Sequence, residues 1–280
     1  FGWMFNGGKL VILMPGDEIN PHIIATTIGK NNVTHVNFVP SMLRVFLKEI
    51  KQEDILNMNC LKYIFAAGEA LTSGLVISCK KIFPNINLYG PTEATIYATD
   101  YTILSVDAMG LVPIGKPLTN VKTYILDKSN NQCAIGIPGE LCLSGEGIAR
   151  GYLNGGELNN EKFVQNPYGE GHVYRTGDLA RWLTDGNIEY LGRLDNQVKI
   201  RGFRIELGEI ESVIRELDIV QDAVVIASED PNNTKSLCAF IISNDLDIAS
   251  IKQHLTEKLP SYMVPSYFVR IDKIPITNSG

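Results

Sequence analysis

The sequence lacks the features that mark several large classes of protein. Its 280 residues carry a formal net charge of −6, whereas a nucleic-acid-binding protein needs a basic face against the phosphate backbone. Its apolar runs have the length of strands, and a membrane-spanning helix needs about 20 apolar residues. We therefore expect neither a nucleic acid nor a membrane as partner. The content of 45% hydrophobic and 20% charged residues is that of a globular protein.

Cysteine and histidine are also sparse. The five cysteines are scattered, odd in number and form no CxxC pair, and the four histidines lie far apart. No zinc-binding spacing follows from them. Scattered thiols fit a reducing compartment, so the sequence predicts a cytoplasmic protein. Residues 1–5 are apolar but have no basic flank, and we expect no secretory signal there.

Two groups of catalytic motif are missing. There is no GxxxxGK[ST] phosphate loop, and no GxGxxG follows a strand; the glycines of residues 145–151 are interpreted as turn formers. There is no GxSxG nucleophile elbow and no histidine in a triad context. Acyl-enzyme chemistry on a serine or cysteine is therefore not expected.

The first hundred residues alternate between strand-like and helix-like runs, which predicts a parallel sheet flanked by helices. The strand-like runs are 10–14, 33–39, 63–67 and 86–88, and the helix-like runs are 21–30, 41–50 and 72–82. Ser41 is predicted to cap the second helix. Because parallel strands end at one edge of a sheet, we expect Asn37, Phe65, Ala67 and Leu88 to lie near residues 89–93.

The pattern of apolar and polar residues changes twice after this region. Residues 100–193 contain short alternating runs, with Asp185-Gly186 predicting a two-residue hairpin of type I′, and indicate an antiparallel, β-rich portion. Residues 194–280 combine helical and strand patterns and indicate a small α+β carboxyl-terminal domain. The predicted division is therefore 1–193, made of an α/β portion (1–99) and a β-rich portion (100–193), followed by 194–280. No long linker separates the two, so a boundary near Asp195 is a tight hinge.

Three segments carry side chains suited to chemistry. The turn after residues 86–88 presents Tyr89 for stacking on a base, Thr92 for a phosphate and Glu93 for Mg²⁺. The alternative is an ordinary turn with Thr92 as helix N-cap. Asp178, which follows a glycine, can accept two hydrogen bonds from a ribose diol, or it caps a β-turn. The charged residues 195–206 form either a solvated edge or a loop that swings into an active site.

Five segments together resemble the carboxyl-terminal part of an amino-acid adenylation domain of nonribosomal peptide synthetases. This superfamily includes acyl-CoA synthetases and firefly luciferase. The form QVKIRG at residues 197–202 is similar to the peptide-synthetase branch. The five segments are 88–93 (LYGPTE), 139–152 (GELCLSGEGIARGY), 174–178 (YRTGD), 192–206 (GRLDNQVKIRGFRIE) and 259–265 (LPSYMVP).

The resemblance implies a role for each matching residue. It implies that Thr92 holds the α-phosphate, that Glu93 coordinates Mg²⁺ and that Asp178 binds the ribose hydroxyls. It implies further that Asp195 is the hinge of a small mobile lid domain, whose loop with Lys199 and Gly202 enters the site for thioester formation. The remaining nucleotide contacts that it implies are Gly68, Glu69, Ala70, Asn87, Leu88, Tyr89, Gly90, Pro91, Tyr190 and Arg193.

The resemblance also implies a substrate pocket without a charged side chain. A buried unpaired charge is costly, so we expect an amino acid with a neutral side chain. Asn37 offers one amide to a polar atom of this substrate. The pocket positions are Asn37, Phe65, Ala67, Leu88, Ile96 and Tyr97.

The implied reaction has two steps. The amino-acid carboxylate attacks the α-phosphorus of ATP, with Mg²⁺ as cofactor, and gives aminoacyl-AMP and pyrophosphate. The acyl group then moves to the phosphopantetheine thiol of a carrier domain. The alternatives are a carboxylate–CoA or aryl-acid ligase of the same superfamily, and an inactive fragment that acts only as a docking module.

The family's phosphate loop and its substrate-binding Asp are expected before Phe1, in an amino-terminal half of the domain, and its catalytic Lys directly after Gly280. Each loss of such a group costs about 10²–10³-fold. We therefore expect these 280 residues alone to be nearly inactive.

Overall fold

The computed structural model describes residues 5, 7–80, 82–83, 85–103, 112–229, 235–243 and 247–273. The chain divides into two compact units, Phe1–Leu194 and Asp195–Gly280. The expectations for residues 1–4 and 278–280 lie outside the described residues.

Unit 1 contains helices and strands in an alternating order that later gives way to strands. Its helices are α1 (Pro21–Lys30), α2 (Pro40–Glu49), α3 (Gln52–Asn57), α4 (Ser73–Lys80) and α5 (Gly156–Lys162), with short 3-10 helices at Asp17–Ile19 and Thr92–Ala94. Its strands are β1 (His35–Phe38), β2 (Tyr63–Ala66), β3 (Asn85–Tyr89), β4 (Thr99–Thr102), β5 (Lys116–Pro117), β6 (Val121–Leu126), β7 (Gly139–Gly145), β8 (Phe163–Gln165), β9 (His172–Trp182) and β10 (Ile188–Arg193).

The first sheet has the order β1-β2-β3-β4-β5, and its first three strands are parallel. Alternate residues of β1 and β2 point to opposite faces. Phe38, Ile64 and Ala66 join the buried cluster that the helices complete through side chains such as Ile24 and Phe46. The other face carries exposed residues: His35, Asn37, Tyr63 and the half-buried Phe65.

The second sheet has the order β10-β9-β7-β6, with β8 paired to β9, and every pairing in it is antiparallel. Buried side chains from its strands, among them Leu141, Leu143 and Ile188, form a cluster with Tyr89 from the first sheet. The end of β3 is therefore packed directly against the β-rich portion.

Unit 2 is a small α+β unit. Its helices are α6 (Leu207–Arg215) and α7 (Ile248–Lys258), and its strands are β11 (Val198–Ile200), β12 (Phe203–Ile205), β13 (Val220–Glu229), β14 (Lys235–Ser243) and β15 (Tyr267–Arg270), with a 3-10 helix at Ser261–Met263. Strands β13-β14-β15 form one sheet. Ile210, Ile214, Ile251 and Leu255 are fully buried between the helices and this sheet.

The predicted fold class is confirmed: a parallel sheet with helices, an antiparallel β-rich portion and a small α+β unit. Four details of the prediction are wrong. Residues 10–14 are irregular rather than a strand, because no described strand pairs with them. The first sheet continues through β4 and β5, past residue 99, because the chain turns back and pairs antiparallel with β3. Strand β15 (Tyr267–Arg270) is present, although no strand was predicted for these residues.

The fourth error concerns caps and turns. Helix α2 begins at Pro40 with Val39 as N-cap, so Ser41 lies inside the helix. The Asp185-Gly186 hairpin is present, but only Gly186 has a positive φ (+79°), and its N–H donates to the Leu183 carbonyl at 3.0 Å. A type I′ turn needs a positive φ at both central residues, so the turn is of another type.

Candidate nucleotide site

The carboxyl end of β3 is enclosed by its own chain. After Tyr89 the chain turns at Gly90 and Pro91, and the Ala98 N–H returns to donate to the Tyr89 carbonyl at 2.8 Å. A Cβ on Gly90 would clash with the Ile96 carbonyl oxygen and lie 2.8 Å from the Tyr97 Cα. Glycine is therefore required at position 90 by the close approach of the returning backbone.

The returning backbone contains a strained turn at Ile96. The Tyr97 N–H donates to the Thr95 carbonyl at 3.0 Å, and Ile96 between them has a φ of +78°. This is a γ-turn of the positive-φ type, which is rare and especially unfavourable for a β-branched residue. Its effect is to direct Tyr97 towards β1, where the Asn37 amide Nδ2 donates to the Tyr97 hydroxyl at 2.8 Å.

Asp178 lies at the centre of a buried polar cluster. It is 3% exposed, accepts a short hydrogen bond from the Tyr89 hydroxyl and pairs with Arg193 Nη1 at 2.8 Å. Burial, followed by the Asp178 charge, raises the pKa of Tyr89 well above its usual value. The Tyr190 ring lies 6.5 Å from the Tyr89 ring, at a tilt of 37°. Four of the predicted nucleotide contacts are thus brought together.

Asp178 faces inward because β9 is irregular at the preceding residue. Gly177 has a φ of +72°, and the pairing with β7 shifts register between Glu140 and Cys142. The Glu140 carboxylate accepts from the Gly177 N–H at 3.0 Å and from Arg175 Nε at 2.9 Å. The proposed turn at this glycine is therefore wrong: Asp178 lies inside a long strand, after a bulge that the Glu140–Arg175 pair stabilises.

The Glu93 side chain is held by a tyrosine from a distant part of the chain. Its side chain is buried, with 9% exposure, and Oε1 accepts from the Tyr152 hydroxyl at 2.6 Å. The Tyr152 and Tyr174 hydroxyls are 3.2 Å apart. Burial, followed by the bond to Glu93, raises the pKa of Tyr152 above its usual value, so its hydroxyl stays protonated and can donate.

The remaining predicted contacts of unit 1 lie along the same sheet edge. Thr92 is exposed and begins the 3-10 helix, for which Pro91 is the N-cap, so the alternative of Thr92 as N-cap is wrong. Gly68 has a φ of +92°. The Glu69 carboxylate accepts from the Ser41 N–H at 2.9 Å and so caps α2, and Ala70 is exposed.

The predicted pocket residues lie in neighbouring strands. Asn37 is paired with Phe65, and Ala67 N–H donates to the Phe38 carbonyl at 3.1 Å. The backbones of Asn87 and Leu88 lie in β3, opposite Tyr101 and Asp100; their side chains are outside the described part of the structure.

In unit 2, the predicted hinge residue and loop are ordered by local hydrogen bonds. Asp195 Oδ1 accepts from the Gln197 N–H at 3.1 Å. Lys199 lies in β11, opposite Arg204. Arg201 and Gly202 have φ values of +52° and +80° and connect β11 to β12 as a type I′ turn.

Two residues that organise the site, Glu140 and Tyr152, were not predicted from the sequence. Both lie in segments quoted for the resemblance, but no local pattern assigned them a role. A buried Glu in an otherwise apolar strand was a usable signal, since such a residue is almost always paired. Tyr152 is brought to Glu93 only by the tertiary fold.

In the described ranges, no group of three or more His, Cys, Asp and Glu side chains could hold a metal ion. Among the same residues, no helix is long and apolar enough to cross a membrane. All five cysteines are free thiols.

Comparisons with known proteins identify the family of this chain. Residues 1–153 match the family described as AMP-binding enzyme, and residues 209–280 match the AMP-binding enzyme C-terminal domain. The chain belongs to the AMP-binding enzyme family. Within it, the chain corresponds to part of the adenylation domain of nonribosomal peptide synthetases, as the following similarities indicate.

The chain is 48% identical over 285 residues to a linear gramicidin synthase of Brevibacillus parabrevis, covering 100% of this chain and 6% of that protein. It is 46% identical over 292 residues to a mycosubtilin synthase of Bacillus subtilis, covering 100% of this chain and 11% of that protein. Among solved structures it resembles PA1221, a peptide synthetase protein containing adenylation and PCP domains, with a TM-score of 0.85 and 27% identity over 100% of this chain and 48% of that one. The chain thus spans only a small part of these curated relatives.

Proposed function

We propose that this chain is part of an enzyme that activates an amino acid with ATP, forming aminoacyl-AMP and pyrophosphate for nonribosomal peptide synthesis. The observation that carries the proposal is the convergence of Tyr89, Asp178 and Arg193 at the same sheet edge as Glu93. An aromatic ring, a buried carboxylate and a second acidic side chain suit the base, ribose and metal-bound phosphates of a nucleotide.

Each group of residues at this edge contacts a different part of the nucleotide. Tyr89 and Tyr190 flank the base, Gly68, Glu69, Ala70, Asn87 and Leu88 surround it, and Asp178 receives the ribose hydroxyls. Arg193 pairs with Asp178 at 2.8 Å and so fixes the position of its carboxylate. Thr92, which is exposed after the Gly90–Pro91 turn, donates to the α-phosphate.

The donor set fits Mg²⁺. This ion is usually held by one or two carboxylates together with substrate phosphates and waters rather than by a cage of protein ligands. Glu93 is a buried carboxylate in the turn that follows β3, and it is the residue that would hold the ion. When bound, Mg²⁺ neutralises negative charge on the phosphates.

In the first reaction step, a carboxylate oxygen of the amino acid forms a bond to the α-phosphorus, and the bond to the pyrophosphate oxygen breaks. In the second step, a phosphopantetheine thiol attacks the acyl carbon, and AMP leaves. This protein forms no covalent bond; it positions the reactants and stabilises charge. We propose that Asp195 is the hinge between the steps, and that Lys199 and Gly202 act in the second.

Two partners follow from this proposal, a carrier domain and the amino-terminal part of the adenylation domain. The second is supported by the exposed face of β1 and β2, which carries His35, Asn37 and Tyr63. Parallel sheets are normally covered on both faces. The free thiols support a reducing, cytoplasmic setting.

The substrate is proposed to be an amino acid with a neutral side chain. Asn37 and Tyr97 face each other through a 2.8 Å hydrogen bond, and together with Phe65, Ala67, Leu88 and Ile96 they would line its pocket. None of these side chains carries a charge that could pair with an ionic substrate.

The test is amino-acid-dependent ATP–pyrophosphate exchange by a complete adenylation domain that contains this chain. We expect exchange with one or a few neutral amino acids and loss of at least about 100-fold with Glu93→Gln. Thioester formation from a carboxylic acid and CoA, without any response to amino acids, would instead assign the chain to the CoA ligases. Failure with every substrate would favour a docking module.

A further inference from the structure

Tyr152 contacts the functional edge but has no place in the nucleotide contacts proposed above. Its hydroxyl donates to Glu93 Oε1 at 2.6 Å. The hydroxyl cannot reach Glu93 by local chain geometry, since 59 residues separate the two. The contact is therefore a product of the tertiary fold.

Tyr152 is held in place independently of Glu93. Its N–H donates to Asn159 Oδ1 at 2.6 Å, and its carbonyl accepts from Asn159 Nδ2 at 2.9 Å. Its ring meets Phe163 edge-on, at 5.4 Å between centroids. The backbone and the ring are thus fixed by α5 and β8, and the hydroxyl is presented to Glu93 from a rigid base.

The segment that leads to Tyr152 also holds the turn that carries Glu93. The Ala149 N–H donates to the Glu93 carbonyl at 2.8 Å, and the Thr95 hydroxyl donates to the Gly147 carbonyl at 2.6 Å. Residues 147–152 therefore fix the backbone of this turn on both sides of Ala94 and the Glu93 side chain at its tip. Neither of these two hydrogen bonds depends on the Tyr152 hydroxyl.

A hydrogen-bond donor behind a metal-binding carboxylate restricts its rotation and selects the oxygen that faces the ion. Loss of such a partner typically lowers metal affinity or activity by about 10–100-fold. A bond that only stabilises the fold has a different signature, because its loss affects every ligand equally.

We propose that Tyr152 is a positioning residue that orients the Glu93 carboxylate towards the metal ion of a metal–nucleotide complex. The inference rests on the proposed function, since it takes Glu93 as the metal-holding residue. It adds a group that does not touch the nucleotide but determines how well the metal is bound.

The test compares Tyr152→Phe with the unaltered complete adenylation domain. Mn²⁺ is used as a probe for Mg²⁺, and the binding of Mn²⁺–ATP is followed by electron paramagnetic resonance. Metal-free ATP binding and the melting temperature are measured in parallel. We expect Mn²⁺–ATP to bind about tenfold more weakly to the variant, with metal-free ATP binding unchanged. The Mg²⁺ concentration for half-maximal exchange should rise by the same factor.

The matched control is Tyr168→Phe. The Tyr168 hydroxyl also donates one hydrogen bond, to the Asn130 carbonyl at 2.6 Å, and has no contact with Glu93. This variant should bind Mn²⁺–ATP like the unaltered domain. Equal Mn²⁺–ATP affinity in Tyr152→Phe and the unaltered domain would overturn the inference, as would an equal loss of metal-bound and metal-free ATP binding.

The test also separates this inference from the proposed function. An unaltered domain that binds Mn²⁺–ATP, loses it selectively in Tyr152→Phe and exchanges with no amino acid would support the positioning role and overturn the proposed activity. An unaltered domain that binds no Mn²⁺–ATP would overturn both.

Discussion

The Tyr89 hydroxyl donates a hydrogen bond to the Asp178 carboxylate, although the two residues come from different sheets and are 89 positions apart. The other oxygen of Asp178 pairs with Arg193 at 2.8 Å. One carboxylate thus joins the carboxyl end of the parallel sheet to two neighbouring strands of the antiparallel one. Stability and the proposed ribose contact depend on the same group.

Replacing Asp178 by Asn should destabilise unit 1 more than replacing Tyr89 by Phe. The Arg193 side chain is 11% exposed, and removing one partner of a buried ion pair costs about 3–5 kcal/mol. Tyr89→Phe leaves one carboxylate oxygen without its donor, at a cost of about 1–3 kcal/mol.

Urea unfolding followed by tryptophan fluorescence measures this difference, because Trp182 lies in β9, the strand that carries Asp178. An equal fall in the free energy of unfolding in both variants would contradict the prediction that Asp178→Asn destabilises unit 1 more than Tyr89→Phe.

The same pair predicts a specific loss of stability in alkali. Burial and Asp178 raise the pKa of Tyr89 in the folded state above its ordinary value of 10.0. The stability that this raised pKa contributes is complete below that value. It declines at higher pH because the unfolded chain ionises first, by at most about 1.4 kcal/mol per pH unit.

Tyr89→Phe removes this effect and leaves the lysines and other tyrosines unchanged. The stability difference between the unaltered chain and the variant should therefore shrink by about 1 kcal/mol between about pH 9 and about pH 11. If the free energies of unfolding of the two proteins changed with pH in parallel, Tyr89 would not be the group responsible for the loss of stability in alkali.

The sequence predicted those features that depend on local pattern. Alternating runs gave the parallel order of β1, β2 and β3, and the turn at Gly90 and Pro91 was recognised by its residues. Asn37, Phe65, Ala67 and Leu88 were expected near Tyr89 because parallel strands share their carboxyl ends. The place of Asp178 in the same site was implied only by the family resemblance.

Other features depend on contacts that no local pattern encodes. The inward direction of Asp178 follows from the Gly177 bulge, and this bulge depends on Glu140 from a different strand. The exposed apolar residues Leu10 and Ile12 have the period of a strand, but a strand also needs a hydrogen-bonding neighbour. Likewise, Ser41 has the chemistry of an N-cap, yet Pro40 begins the helix one residue earlier.

The Gly177 bulge leads to a third prediction, made for Glu140→Gln. The Glu140 side chain is 9% exposed and pairs with Arg175, so the substitution leaves a partly buried guanidinium without its ion partner. We expect a loss of about 3 kcal/mol in the free energy of unfolding, together with weaker ATP binding because Asp178 follows the bulge.

Glu189→Gln is the matched control. Glu189 also accepts from an arginine, Arg181, at 2.5 Å, but the two side chains are 23% and 40% exposed. Exposed pairs contribute less than about 1 kcal/mol, so this variant should unfold nearly as the unaltered chain does. Similar losses in the two variants would show that the bulge does not depend on Glu140.

The close approach at Gly90 supports the last prediction, which compares two Gly→Ala substitutions. In Gly90→Ala the new methyl group would clash with the Ile96 carbonyl and lie 2.7 Å from the Ala98 nitrogen. Backbone atoms cannot move aside as a flexible side chain can, so we expect a loss on the order of 3 kcal/mol in the free energy of unfolding. In α4, a methyl group on Gly74 would meet no atom within 4 Å, and alanine favours a helix over glycine by about 1 kcal/mol. Gly74→Ala should therefore stabilise the chain slightly. If Gly90→Ala unfolded at the same urea concentration as the unaltered chain, the Ile96 turn could not be packed against β3 as described, and the direction of Tyr97 towards Asn37 would need another cause.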